Sequence, residues 1–219
     1  GQPWIALPGP LGAHNWQPMA FDPGSGLVYI PSFELGFAYV ADRAFQRREL
    51  AVNLGVDLTA ASMPEDDAVK RQVLQSVRGH LLAWDPVAQK KVWDVEHPAA
   101  WNGGVLATAG GLVFQGDAGG HLSAYASATG KRLWSQATGE GIVAPPITYS
   151  VAGEQYVLVL AGWGGVYTLL TGEIARQGSV AGRNGRLLAF KLDGKQALPV
   201  DDRRAAPTAE PPAQFADGA

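Results

Sequence analysis

Gly79-His80-Leu81-Leu82-Ala83-Trp84 recurs as Gly120-His121-Leu122-Ser123-Ala124-Tyr125, and again as Gly185-Arg186-Leu187-Leu188-Ala189-Phe190. The first two copies begin 41 residues apart, the length of one propeller blade. The third begins 65 residues further on, so an insertion or a divergent blade is expected before it. Each copy alternates apolar and polar residues around an aromatic, which is strand patterning. The first two copies also continue alike, through Ala83-Trp84-Asp85-Pro86-Val87-Ala88-Gln89-Lys90-Lys91-Val92-Trp93 and Ala124-Tyr125-Ala126-Ser127-Ala128-Thr129-Gly130-Lys131-Arg132-Leu133-Trp134. Both place Ala and Trp ten residues apart, which predicts a strand, a turn and a second strand whose Trp folds back over the turn. An indole offers a wide apolar face and an N–H that needs a partner, so Trp93 and Trp134 are expected to pack between blades. The fold class is all-β, built of β-propeller blades.

Composition agrees with that reading. Of 219 residues, 47% are apolar and only 17% charged, with 28 Gly and 15 Pro, a profile of short strands and tight turns rather than disorder. A net charge of −3 without a basic cluster gives no footprint for nucleic acid. No segment reads as a membrane span: the longest apolar stretch, Tyr156 to Leu170, has 15 residues and three glycines, where a spanning helix needs about 20. With no Cys, the chain itself has no disulfide and no Cys-x-x-Cys-His haem site. His14, His80, His97 and His121 are scattered, so no metal site is expected from them. Gly110-Gly111 and Gly119-Gly120 precede strands rather than helices and read as hairpin turns.

The paired repeats resemble the tryptophan-docking motif, Ala-x-Asp-x-x-Thr-Gly-Lys-x-x-Trp, of quinoprotein alcohol dehydrogenases, which are eight-bladed propellers using pyrroloquinoline quinone (PQQ). Ala126 departs from the motif's Asp, Ala88-Gln89 depart from its Thr-Gly, and the third copy near Asp193-Gly194-Lys195 has no closing Trp. Three further segments are similar to the family in order and spacing: Gly12-Ala13-His14-Asn15-Trp16-Gln17-Pro18-Met19, leading to Gly26-Leu27-Val28-Tyr29-Ile30-Pro31; Trp101-Asn102-Gly103-Gly104 through Gly116; and Gln155-Tyr156-Val157 through Gly162-Trp163-Gly164-Gly165-Val166-Tyr167. The resemblance points in particular to the soluble quinohaemoprotein alcohol dehydrogenases, whose propeller is followed by a cytochrome c domain. It implies roughly half of such a propeller over residues 1–198, with a long excursion at 32–78, and a Pro/Ala-rich linker at 199–219 leading toward a haem c domain. Expressed without the rest of the propeller, open blade faces are expected to make the chain aggregate or pair.

PQQ is a flat, tricarboxylated o-quinone, so its site needs an aromatic platform, amide donors and close backbone approach. Asn15 and Trp16 supply an amide and an indole at one point, and the resemblance makes both cofactor contacts. The competing reading is an Asn satisfying turn backbone beside a packing Trp. Trp163 and Gly164, in a glycine-rich segment that admits close backbone approach, are implied at the top of the cofactor or substrate pocket; a β-bulge with a blade Trp is the alternative. Trp101 and Val166 are candidates for the substrate pocket, although blade packing is the preferred reading of Trp101. Asp66-Asp67 looks like a carboxylate cluster, but Ser62-x-x-Glu65 before Val69, Val73 and Val77 predicts a capped surface helix.

The resemblance places the Ca2+ ligands, the catalytic Asp, a basic residue on the quinone oxygens and a vicinal disulfide upstream, so no catalytic residue and no metal ligand is expected in this chain. For a whole protein it implies a periplasmic enzyme that oxidises an alcohol to an aldehyde. There Ca2+ polarises the quinone, Asp takes the alcohol proton, hydride passes to the quinone, and electrons leave to a cytochrome or other acceptor. The alternative function is a non-enzymatic propeller scaffold with PQQ-like repeats, which would need neither the Asn15-Trp16 pair nor the Gly162–Gly165 segment.

Overall fold

A computed structural model describes residues 3–51, 53–59, 62–165, 167, 171–176 and 185–198. Thirteen strands are described, with β1 (Trp4–Ala6) paired to β4 (Phe37–Tyr39) beside three antiparallel blades. Blade I is β2 (Ala20–Asp22), β3 (Leu27–Glu34), β5 (Arg78–Asp85) and β6 (Lys90–His97), hydrogen-bonded in that order. Blade II is β7 (Val105–Thr108), β8 (Leu112–Gly116), β9 (His121–Ala126) and β10 (Arg132–Ala137). Blade III, among the described residues, is β11 (Ile147–Val151), β12 (Glu154–Ala161) and β13 (Arg186–Lys191).

Each copy of the repeat is the third strand of its blade, so the two close copies are neighbours in space. Among the described residues no extra blade separates the second copy from the third. The additional length is the connection between β12 and β13, residues 162–185. The same connection in blade I is the excursion, but it spans 35–77 rather than 32–78. Ser32 to Glu34 and Arg78 to His80 pair with one another in the ladder, because buried Phe33 continues the inward-facing alternation of β3 beyond Pro31. Within the excursion, α1 (Asp67–Ser76) buries none of its residues, as a surface helix should. Its cap is Asp66, not Ser62: Asp66 Oδ1 accepts from the N–H groups of Ala68 and Val69 at 2.8 and 2.9 Å.

Strand alternation places Leu81 and Ala83 of β5 against Val105, Val113 and Tyr125 of blade II, with Tyr29 and Trp93 in the same cluster. Leu122 of β9, together with Ile142, packs on Val157, Val159, Ala161 and Leu188 of blade III. Blade II therefore buries both faces, which explains why His121–Ala126 reads as nearly continuously buried while β5 alternates.

The two docking tryptophans differ. Trp93 does not fold over its own turn. Its ring stacks on Tyr29 at 5.6 Å, its Nε1 donates to the Ser127 carbonyl at 2.8 Å, and it lies against Gly130 in the turn of the next blade. Trp134 meets Phe190 edge-on at 5.4 Å and remains 38% exposed, so its expected place in the core is not met. The turn after β13, Leu192-Asp193-Gly194-Lys195, is one residue shorter between aromatic and glycine than Tyr125 to Gly130, and offers no equivalent seat.

Candidate cofactor-facing end of the blades

An antiparallel meander turns the chain at alternate ends. One end carries the short hairpins 23–26, 86–89, 109–111, 127–131 and 152–153. The other carries the segment before β2, the two long excursions and the connections 98–104 and 138–146. Asn15, Trp16, Trp101, Trp163 and Gly164 all belong to this second end. Val166 lies outside the described residues, as does the 199–219 segment.

Trp101 is buried at the centre of an apolar cluster formed by Phe33, Leu35, Val77, Ala100, Val143, Tyr167 and Ala175, with Trp163 packed against it. Trp16 is different. It is 56% exposed, and it meets Trp101 edge-on with centroids 6.5 Å apart and planes at 62°. A large ring held from behind yet open to solvent leaves a flat apolar face uncovered. Asn15 is half-buried and shapes the turn: its Nδ2 donates to the Leu11 carbonyl at 2.9 Å, and its Oδ1 accepts from Trp16 N–H at 3.0 Å. A carboxamide has two N–H groups and two carbonyl lone pairs, so one of each remains for a ligand. Gly164 faces open space, whereas a Cβ at Gly162 would press on Gly185. The close backbone approach in this segment therefore falls at Gly162, whose N–H also donates to the Gly141 carbonyl at 2.8 Å.

Below this rim a polar network joins blades I and II. Gln115 Nε2 donates to the Gly103 carbonyl at 3.0 Å, which turns Oε1 toward His97; His97 Nε2–H therefore donates to it at 3.0 Å. Asn102 Nδ2 donates to the Ala99 carbonyl and its Oδ1 accepts from Ala118 N–H, at 2.8 and 3.0 Å. Burial holds the His97 pKa below its ordinary 6.5, against an opposing pull from Asp117. The folded form thus keeps His97 neutral while the unfolded chain takes up a proton below about pH 6.5. This contribution to stability is complete above that pH and is lost progressively as pH falls below it. Melting curves between pH 8 and 5 should show the loss, and His97→Gln, which retains a hydrogen-bond donor, should flatten it. An unchanged slope in that variant would assign the acid sensitivity elsewhere.

Sequence reasoning missed Tyr167, whose ring is stacked on Trp101, and the His97–Gln115 pair. Tyr167 could have been singled out as the aromatic that follows the glycine-rich segment. Buried polar atoms without a partner include Gln17 Oε1, Glu140 Oε2 and Tyr167 Oη, all at this second end, and such atoms are costly unless something meets them. An open indole, an amide with free capacity and orphaned buried polar groups together fit a flat, polar-rimmed cofactor. Among the described residues no group of three or more His, Asp or Glu could hold a metal ion, and no helix is long and apolar enough to cross a membrane.

Residues 67–157 match the profile of the PQQ family described as "Glucose/ethanol/alcohol dehydrogenase, beta-propeller domain". Over 216 residues, 98% of the chain, it is 41% identical to the dehydrogenase subunit of the quinone alcohol dehydrogenase of Acetobacter aceti. Along nearly its whole length the chain is similar to PQQ-dependent alcohol dehydrogenases. A second member, quinohemoprotein alcohol dehydrogenase ADH IIB of Pseudomonas putida, is 48% identical over 199 residues, 90% of the chain. The solved quinohemoprotein alcohol dehydrogenase ADHIIG of Pseudomonas putida superposes with a TM-score of 0.82 at 37% identity, covering 99% of the chain and 32% of that protein. The chain spans 29% of the length of the Acetobacter member and 27% of ADH IIB. Its three blades are thus a part of a propeller, and the end that carries Trp16 is a stretch of one rim.

Proposed function

We propose that this chain forms the C-terminal part of the propeller of a periplasmic PQQ-dependent alcohol dehydrogenase, which oxidises an alcohol to an aldehyde and passes electrons to a cytochrome or other acceptor. The observation that carries this reading is Trp16, a half-open indole braced from behind by Trp101. When bound, PQQ supplies the two-electron acceptor for the alcohol's hydride. The residues of this chain do the holding: Trp16 offers its face to the ring system, Asn15 an amide N–H to an oxygen, and Trp163 and Gly164 close the rim. Trp101 serves as the buried brace behind Trp16 rather than as a lining of the substrate pocket, and the substrate role of Val166 rests on the family resemblance. The base, the Ca2+ ligands and any haem c belong to parts of the protein outside this chain.

Reconstitution of the full-length apoprotein with PQQ tests the assignment. Asn15→Ala should weaken binding by about 1 kcal/mol through loss of one amide contact. Trp16→Ala should weaken it by about 2 kcal/mol, since an aromatic face is lost as well. Titrations leaving both folded variants at wild-type affinity would sink the cofactor wall. Gly164→Ala makes a finer test. A Cβ there meets nothing within 4 Å, so thermal stability should hold while PQQ affinity falls; the reverse outcome would make Gly164 a purely structural residue.

A further inference from the structure

Three rings of graded burial lead from the cluster to the rim. Tyr167, 2% exposed, stacks on Trp101 with centroids 4.3 Å apart and planes within 4°. Trp101 also leans on Phe33 at 5.4 Å and meets the exposed Trp16 at a steep angle, with centroids 6.5 Å apart. A parallel stack at that separation makes contact over the whole ring face, so Trp101 cannot tilt without losing it. With Phe33 touching it as well, the orientation that Trp101 offers to Trp16 is set largely by Tyr167. The Tyr167 hydroxyl takes no part in this. It makes no hydrogen bond of good geometry, and burial pushes the phenol up to about 12 against a smaller opposing pull from Thr171, so it is neutral at working pH.

We propose that Tyr167 is a positioning residue for the exposed ring of Trp16, acting through Trp101 by its ring and not by its hydroxyl. The purpose of this arrangement rests on the reading of Trp16 as a cofactor contact; the mechanical claim does not. An exposed indole with one face free would otherwise sample several rotamers, and a flat ligand binds best to a ring that is already in place.

The test uses the full-length apoprotein with Tyr167 as Tyr, Phe or Leu, each with Trp16 intact and as Trp16→Phe. The difference between the two backgrounds isolates the near-UV circular dichroism and acrylamide quenching of Trp16. Tyr167→Phe should leave that signal as in the wild type. Tyr167→Leu should collapse the dichroism and raise the quenching, while far-UV spectra and cooperative melting persist. In PQQ titrations Tyr167→Leu should weaken binding about tenfold with Trp16 present and much less with Trp16→Phe, the non-additivity expected of residues acting in series. An unchanged Trp16 signal in Tyr167→Leu overturns the proposal, as does an equal loss of PQQ affinity in both backgrounds. If Tyr167→Leu does not fold, Trp101→Phe, which shortens the stacked face, carries the same expectation for the Trp16 signal. Should PQQ affinity ignore Trp16 altogether, the cofactor reading falls, and the optical signal alone decides the positioning claim.

Discussion

Trp93→Ala should be the most destabilising single truncation in these blades, by about 4 kcal/mol, in line with buried Trp-to-Ala losses. It removes the stack on Tyr29, the hydrogen bond from Nε1 to Ser127 and the surface that seats Gly130. It also leaves the Ser127 carbonyl with only the longer bond from Tyr29 Oη, at 3.2 Å. Trp134→Ala should cost about 1 kcal/mol, since an exposed ring forfeits only part of its transfer free energy. Calorimetric unfolding of the full-length protein measures both. Equal losses would mean that the two docking positions are equivalent and that the seat on blade II is not what holds Trp93. Gly130→Ala reaches the same contact from the other side: its φ is +70°, and a Cβ would lie 2.7 Å from the Trp93 ring.

Gly79→Ala should lower stability by about 3 kcal/mol, at the upper end of the range for overpacking. A Cβ at this position would fall on the Ala99 carbonyl oxygen and the Asn102 side-chain amide. A backbone oxygen cannot swing aside as a flexible side chain can, so Asn102 would have to give up its bonds to Ala99 and Ala118. Gly185→Ala is the control. It occupies the corresponding position in the third copy, and its Cβ would meet only the Ala161 carbonyl, at an ordinary 3.8 Å. A melting temperature lowered equally by both substitutions would show that the loss comes from strand glycine as such and not from the crossing connection.

These contrasts mark the division between what was legible in the chain and what was not. Blade-forming segments could be read directly, because a strand's alternation and a turn's glycine are local requirements, and because each blade repeats them. The Asn15-Trp16 pair and the glycine-rich segment at Gly162 could likewise be placed in one functional region, on the strength of a family resemblance. Antiparallel alternation then puts both at one end of the blades. The helix over 67–76 was legible as a helix, but its cap moved from Ser62 to Asp66, since either residue type can cap and only the path of the preceding chain selects between them.

Which partner each residue meets was decided by tertiary structure alone. Gly79, Gly120 and Gly185 hold one position in the repeat, yet the first is crowded by a crossing backbone, the second sits at φ +80° and the third faces near-open space. Trp93 and Trp134 share a motif, and only Trp93 finds a turn of the right length on the next blade. Trp101 and Trp16 are both rim-segment tryptophans, but one is buried under Tyr167 while the other stands open. Repetition in a sequence records what a blade needs to form. Burial, crowding and hydrogen-bond partners depend on the neighbouring blade and the connection passing overhead, and those are not repeated.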